Sequence, residues 1–213
     1  MGTAARIEEY GVVAVVRLDD LAGAVPLTRA LIAGGVRAVE FTFTNPKAGQ
    51  AIEAAKSAVG TEGFIGAGTV LDPETARAAI LAGAEYIVTP TFKRETIELC
   101  NRYGIPTVIG GLTATEMLAA WEAGASYIKV HPASLGGPRY FKDILGPLPQ
   151  LKLIPSGGVS LENAADFIRA GAVAVALGSN LVDQKTVSTG DWQTLTDRAR
   201  QLSQAIVGAK NGS

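Results

Sequence analysis

Three charged side chains stand in or at the end of apolar runs. Arg17 closes Val12-Val13-Ala14-Val15-Val16-Arg17, Glu40 sits in Ala38-Val39-Glu40-Phe41-Thr42-Phe43, and Lys129 sits in Tyr127-Ile128-Lys129-Val130. An isolated charge is costly to bury, so each needs a partner or a task. Lys47, Lys56, Lys93, Lys142, Lys185 and Lys210 lie in polar or helical contexts, and Lys152 opens its own run near the opposite end. Lys129 alone is embedded in apolar sequence. Burial and a nearby positive charge, for which Arg17 is the candidate, both favour the free amine that attacks a carbonyl. The resulting iminium withdraws electrons from the neighbouring carbon, so a C–C bond can break and leave an enamine. The departing aldehyde then needs a proton shuttle, and Glu40 is the candidate general acid and base. A buried Lys129–Glu40 ion pair with no catalytic task is the plainer reading of the same two residues.

A second signal comes from glycine. Pro155-Ser156-Gly157-Gly158-Val159 and Leu177-Gly178-Ser179-Asn180 follow the last two apolar runs. In parallel barrels these two loops commonly cradle a phosphate through backbone N–H groups. The alternative is that Gly157 and Gly158 only shape a turn before a helix opened by Ser160. Gly66-Ala67-Gly68-Thr69-Val70 resembles the start of a dinucleotide fingerprint, but Leu71 occupies the third glycine position, so nucleotide binding is not expected. Thr69 reads better as a hydroxyl donor to a bound carboxylate or carbonyl.

The elements that must carry these residues follow from periodicity. Eight short β-like stretches occur at Val12–Arg17, Ala38–Phe43, Phe64–Gly68, Tyr86–Thr89, Thr107–Ile109, Tyr127–Val130, Lys152–Ile154 and Ala174–Leu177. Helical spacing fills Leu21–Ala33, Ala48–Val59, Pro73–Ala82, Arg94–Tyr103, Ala114–Ala123, Leu161–Ala170 and about Trp192 to Val207. The junctions Ala33-Gly34-Gly35, Ala82-Gly83-Ala84, Ala123-Gly124-Ala125 and Ala170-Gly171-Ala172 repeat a helix-ending glycine before a strand. This alternation predicts an α/β fold with parallel strands, a single (β/α)₈ TIM barrel over residues 1–213, with an open doubly wound sheet as the alternative. Period-2 alternation puts Glu40, Thr42 and Thr44 on one strand face, towards the lumen, and sets Lys129 opposite Ile128 and Val130.

Composition narrows the function classes. With 47% hydrophobic and 18% charged residues and a net charge of -1, neither nucleic acid nor membrane is expected as a partner. No apolar run approaches a bilayer span and no secretory h-region opens the sequence, so the expected location is cytoplasmic. Cys100 is the only cysteine and is read as a core thiol; His131 is the only histidine, so a zinc site is not expected.

Taken together, Val15-Val16-Arg17, Val39-Glu40-Phe41-Thr42-Phe43-Thr44, Ile65-Gly66-Ala67-Gly68-Thr69-Val70, Val88-Thr89-Pro90, Ile128-Lys129-Val130-His131-Pro132, Ser156-Gly157-Gly158-Val159 and Leu177-Gly178-Ser179 resemble the 2-keto-3-deoxy-6-phosphogluconate and 4-hydroxy-2-oxoglutarate aldolases, with the related 6-phosphogalactonate enzymes. The resemblance implies a class I aldolase with no metal and no cofactor, releasing pyruvate and a phosphorylated aldehyde from a 2-oxo acid. It implies Lys129 as the Schiff-base lysine and Glu40 as the proton-transfer residue. Arg17, Thr44, Thr69 and Pro90 match substrate-binding positions, and Gly157, Gly158, Gly178 and Ser179 the phosphate site. Homotrimers are common in the family. His131 departs from a usual phenylalanine and Gly110 from a usual proline, and Ser134-Leu135-Gly136-Gly137-Pro138-Arg139-Tyr140 looks closer to the galactonate type. A phosphosugar isomerase or epimerase, or a barrel that only binds a sugar phosphate, are the competing expectations.

Overall fold

The β-branched runs and the helical segments between them alternate along the whole chain in the computed structural model, which describes residues 5–212. In chain order the elements are α1 (Ala5–Tyr10), β1 (Val12–Val16), α2 (Ala24–Ala33), β2 (Ala38–Thr42), α3 (Ala48–Val59), β3 (Phe64–Gly68), α4 (Pro73–Leu81), β4 (Ile87–Val88), α5 (Arg94–Arg102), β5 (Thr107–Gly110), α6 (Ala114–Glu122), β6 (Tyr127–Val130), a 3₁₀ turn at Ala133–Leu135, α7 (Gly137–Leu145), β7 (Leu153–Pro155), α8 (Ala164–Arg169), β8 (Val175–Leu177), α9 (Gln184–Ser188) and α10 (Trp192–Asn211). All eight strands are parallel, in the order β7-β6-β5-β4-β3-β2-β1-β8. The two outer strands of that order meet through a parallel bridge between Ser156 and Ala176 and a 3.0 Å bond from the Val173 N–H to the Leu153 carbonyl. The sheet therefore closes into a (β/α)₈ barrel, and the open-sheet alternative is excluded.

Alternation divides every strand between two cores. Val13, Val15, Ala38, Phe64, Tyr86, Val88, Val108, Tyr127, Ile154, Ala174 and Ala176 form the lumen cluster, and Ile7 of α1 joins it. Val12, Ala14, Val39, Phe41, Ile128 and Val130 belong to the larger cluster beneath the helices. Within the lumen, volume is graded along the axis. Phe64 and Tyr127 open their strands and Tyr86 immediately precedes β4, with Phe64 stacked on Tyr86 at 4.8 Å. Small residues, Gly68 and Gly110, end theirs. One end is filled by rings and the other is left open.

The repeated glycine junctions act as read from the sequence. Gly35, Gly83, Gly124 and Gly171 have φ of +93°, +97°, +92° and +101°, the left-handed region in which a side chain would be strained. In the first junction the second glycine, Gly35, takes that role. Three short helices escaped the periodicity: α1 with six residues, α9 with five, and α7, whose Gly137-Pro138 start reads as a turn. Amphipathic α7 nevertheless buries Phe141 and Ile144. Arg17 is a further correction: β1 ends at Val16, and Arg17 lies beyond it, exposed at the mouth of the barrel rather than within the strand.

Cys100 is fully buried on α5, and burial pushes its thiol up to about 11. A disulfide-exchange reagent at pH 8 is expected to label the native protein slowly and the urea-unfolded chain at once; rapid native labelling would contradict this packing.

Candidate active site

Lys129 enters the lumen because β6 alternates. Tyr127 points inward, Ile128 outward, Lys129 inward and Val130 outward. The lysine is 5% exposed, and its Nζ lies 3.9 Å from Glu40 Oε1. Glu40 is 1% exposed on β2, and that Oε1 accepts no hydrogen bond. Buried polar atoms are almost always satisfied, and the exceptions gather where chemistry is done. Burial lifts the Glu40 carboxyl above the ordinary carboxylate range, with Lys129 and then Arg17 pulling it back. A carboxyl poised in this way can both take and return a proton.

The two glycines of Gly66-Ala67-Gly68 make room for this arrangement. Gly66 lies opposite Glu40 in the β2–β3 ladder, and a Cβ there would stand 2.4 Å from the Tyr86 ring. A Cβ on Gly68 would stand 2.7 Å from Glu40 Oε1. Thus the motif that resembles a nucleotide fingerprint is a pair of spacers in the barrel lumen. Tyr86 lies fully buried below, its hydroxyl also without a partner.

Above Lys129 opens a cavity of about 260 Å³ lined by Arg17, Thr69, Pro90, Lys129, His131, Gly157, Gly158, Gly178 and Ser179, with Val15, Ser156, Val159, Ala176 and Asn180. Eight of the ten residues singled out in the sequence share this one surface. Glu40 lies beneath it, within reach of the lysine. Thr44 is the exception. Because β2 ends at Thr42 and the chain turns, period-2 alternation stops before Thr44, which is exposed and lines a neighbouring depression with Arg17, Asn45 and Lys47. It still touches Thr42 by a 2.9 Å hydroxyl contact. Asn45 ties this turn to the loop after β1, donating to the carbonyls of Leu18 and Asp19 at 3.0 and 2.9 Å. That tie holds the segment carrying Arg17, whose guanidinium donates to the Thr69 hydroxyl at 3.4 Å. Thr69 has φ of +55°, strained for a β-branched residue and a recurrent mark of functional sites.

The two glycine loops line the same cavity, and the one after β8 adjoins the end of β1 that leads to Arg17. Gly157 and Gly158 have φ of +78° and +81°, and a Cβ would meet the His131 ring at 2.9 Å or Ser134 Cβ at 2.5 Å. Both glycines are needed to turn the chain. Gly178 differs, since a Cβ there would meet nothing closer than 3.9 Å, so packing does not ask for glycine and its bareness widens the cavity. Among the described residues, the Gly158 and Ser179 N–H groups donate to no protein acceptor, while the Ser156–Ala176 bridge turns the Gly157 N–H towards the Ala176 carbonyl. Free N–H groups on two adjacent loops suit an anion with several oxygens. Asn180 joins the loops by donating to the Val159 carbonyl at 2.7 Å. Ser156 and Asn180 belong to the two cradle loops read from the sequence, without a role of their own there. Ser156 continues the lumen-facing set of β7 after Ile154, a signal available from parity; Asn180 had none.

Gly110 explains its own departure. A Cβ there would lie 2.1 Å from the Pro90 carbonyl oxygen, and the Gly110 N–H donates to Thr89 Oγ1 at 3.3 Å. Gly110→Ala must therefore shift the Pro90–Thr91 backbone. It is expected to cost about 1–3 kcal/mol in urea unfolding and to move Pro90 in the cavity wall.

Residues 3–198 match the family model "Aldolase: KDPG and KHG aldolase". The 2-dehydro-3-deoxy-phosphogluconate aldolase of Treponema pallidum is 35% identical over 201 residues, covering 94% of this chain and 95% of that protein. The chain belongs to the KDPG and KHG aldolase family. Another relative, the 2-dehydro-3-deoxy-6-phosphogalactonate aldolase of Escherichia coli, is 41% identical over 153 residues, 71% of this chain and 75% of that protein. Among solved structures, KDPG aldolase from Legionella pneumophila, with pyruvate captured as a covalent carbinolamine intermediate, superposes with a TM-score of 0.87 at 28% identity, covering 95% of this chain and 98% of that one. Among the described residues no group of three or more His, Cys, Asp or Glu could hold a metal ion, and no helix is long and apolar enough to cross a membrane.

Proposed function

We propose that this member of the family is a class I aldolase that cleaves a 2-keto-3-deoxy-6-phospho sugar acid into pyruvate and glyceraldehyde 3-phosphate. The observation that carries the proposal is the buried Lys129 amine beneath an open cavity, 3.9 Å from an unpartnered Glu40 carboxyl oxygen. Lys129 adds to the C2 carbonyl and, with loss of water, gives an iminium. Proton removal from the C4 hydroxyl through Glu40 then breaks C3–C4. The electron pair is held as an enamine, and reprotonation of C3 followed by hydrolysis releases pyruvate. Arg17 and Thr69 hold the substrate carboxylate and Pro90 bounds it; Thr44, off the main cavity, acts through Thr42. The loops of Gly157, Gly158, Gly178 and Ser179 hold the phosphate through their free N–H groups. The same machinery accommodates 4-hydroxy-2-oxoglutarate, giving pyruvate and glyoxylate. No metal and no cofactor enters this scheme.

The reading extends to a single-domain protein working in the cytoplasm as a homotrimer, with neither nucleic acid nor membrane as partner. Light scattering on the purified chain tests the trimer. The chemistry is tested by incubating the protein with pyruvate and borohydride and mapping the peptides. A reduced adduct on Lys129 is expected. An unmodified protein, under conditions that label a control aldolase, would return the choice to an isomerase or a binding barrel.

A further inference from the structure

His131 is the titratable residue of the cavity wall that the proposed mechanism leaves unused. It lies just past the end of β6, lines the same cavity as Lys129, and its ring lies against Gly157, where an added Cβ would come within 2.9 Å of Cε1 and Nδ1. It therefore stands between the amine and the loop pair proposed to hold phosphate. Its Nδ1 is 3.2 Å from the Ser156 carbonyl oxygen. A carbonyl can only accept, so Nδ1 carries the proton. In the neutral ring Nε2 is then left as a bare acceptor on the cavity side. Burial, with the Lys129 and Arg17 charges, holds the imidazole below its ordinary value, which keeps it neutral at pH 7.

A neutral acceptor is poorly suited to a phosphate and well suited to a hydroxyl. On the aldolase reading above, the substrate carbon chain runs from C2 at Lys129 to the C6 phosphate at Gly157 and Gly158, and the hydroxyl next to the phosphate-bearing carbon passes the His131 ring. We infer that His131 is a specificity-determining residue whose Nε2 accepts a hydrogen bond from the C5 hydroxyl of the substrate, which is the 2-hydroxyl of the phosphorylated aldehyde in the condensing direction. Selection rests on the acceptor: His131 is exposed in the open cavity, and a bound substrate that covers the ring but lacks that hydroxyl leaves Nε2 without a partner.

The test compares condensation of pyruvate with glyceraldehyde 3-phosphate and with its 2-deoxy analogue, 3-hydroxypropanal phosphate, in the wild type, His131→Phe and His131→Gln. Each is read as the ratio of kcat/KM for the two aldehydes. His131→Phe is expected to lower the wild-type preference for the hydroxylated aldehyde by roughly 10-fold or more. His131→Gln, which keeps an N–H for Ser156 and an oxygen acceptor for the substrate, is expected to retain most of it. Equal losses on both aldehydes in His131→Phe would overturn the inference, because packing or phosphate contact would then account for the effect. A glutamine variant that behaves like the phenylalanine one would overturn it as well. Borohydride trapping of pyruvate on the wild type separates the two levels: no adduct on Lys129 removes the aldolase reading and this inference together, whereas an adduct with an unchanged aldehyde ratio removes the inference alone.

Discussion

Lys129→Met is expected to abolish the pyruvate adduct and to lower turnover by on the order of 10⁴-fold or more, because no other amine lines the cavity to replace the nucleophile. Arg17, the other cation on its wall, stays charged and cannot form an imine. The same substitution leaves Glu40 buried with its closest positive partner gone. Breaking a buried pair costs about 3–5 kcal/mol when the remaining charge is trapped, but a carboxyl escapes by binding a proton. The Glu40 pKa is already raised by burial and opposed by Lys129, so removing the lysine moves it further up. The folded variant then holds a proton that the unfolded chain releases. Relative to wild type, whose own Glu40 is already raised, the variant loses stability as pH climbs from the wild-type value towards its own higher one. Thermal unfolding of the two proteins at pH 5 and pH 8 checks this. The gap widens at pH 8, and a gap that closes there would show that Glu40 is not buried as described. Near-wild-type turnover in Lys129→Met would sink the Schiff-base mechanism itself.

Glu40→Gln should separate proton transfer from covalent capture. The amide keeps the shape and cannot shuttle a proton, so kcat is expected to fall by about 10²- to 10⁴-fold, while borohydride still captures pyruvate on Lys129. The pH profile adds a second reading. A base works when deprotonated, and burial holds the Glu40 carboxyl above the usual carboxylate range, so the acid limb of wild-type kcat/KM lies above that range too. In Glu40→Gln that limb disappears. Its persistence would assign the shuttle to another group, and the imidazole of His131 is the titratable neighbour to examine next.

Parity of the strands carried most of what could be read without coordinates. Lys129 between Ile128 and Val130, and Glu40 between Val39 and Phe41, announce their faces because a parallel barrel buries both sides of each strand. Parity fails where the strand ends, which is why Thr44 falls outside the cavity and Arg17 outside β1. Contacts across the barrel are invisible to it. The use of Gly66 and Gly68 depends on the β2–β3 register and on a ring arriving from the segment before β4. The Nδ1 contact of His131 depends on a carbonyl 25 residues away. Short helices such as α1 and α9 lack the two turns over which a 3.6-residue period declares itself.

The closure of the sheet bears on how the molecule behaves when loaded. Six seams of the barrel register two or more residue pairs, β3 meets β4 through the single pair Ala67–Ile87, and β7 meets β8 through the Ser156–Ala176 bridge and the Val173–Leu153 bond. The two glycine loops leave from the upper ends of those same strands, with the Asn180 side chain spanning the gap. An anion held by both loops is a clasp across this joint. Ligand occupancy then serves as part of the hoop's fastening, holding β7 and β8 together from above.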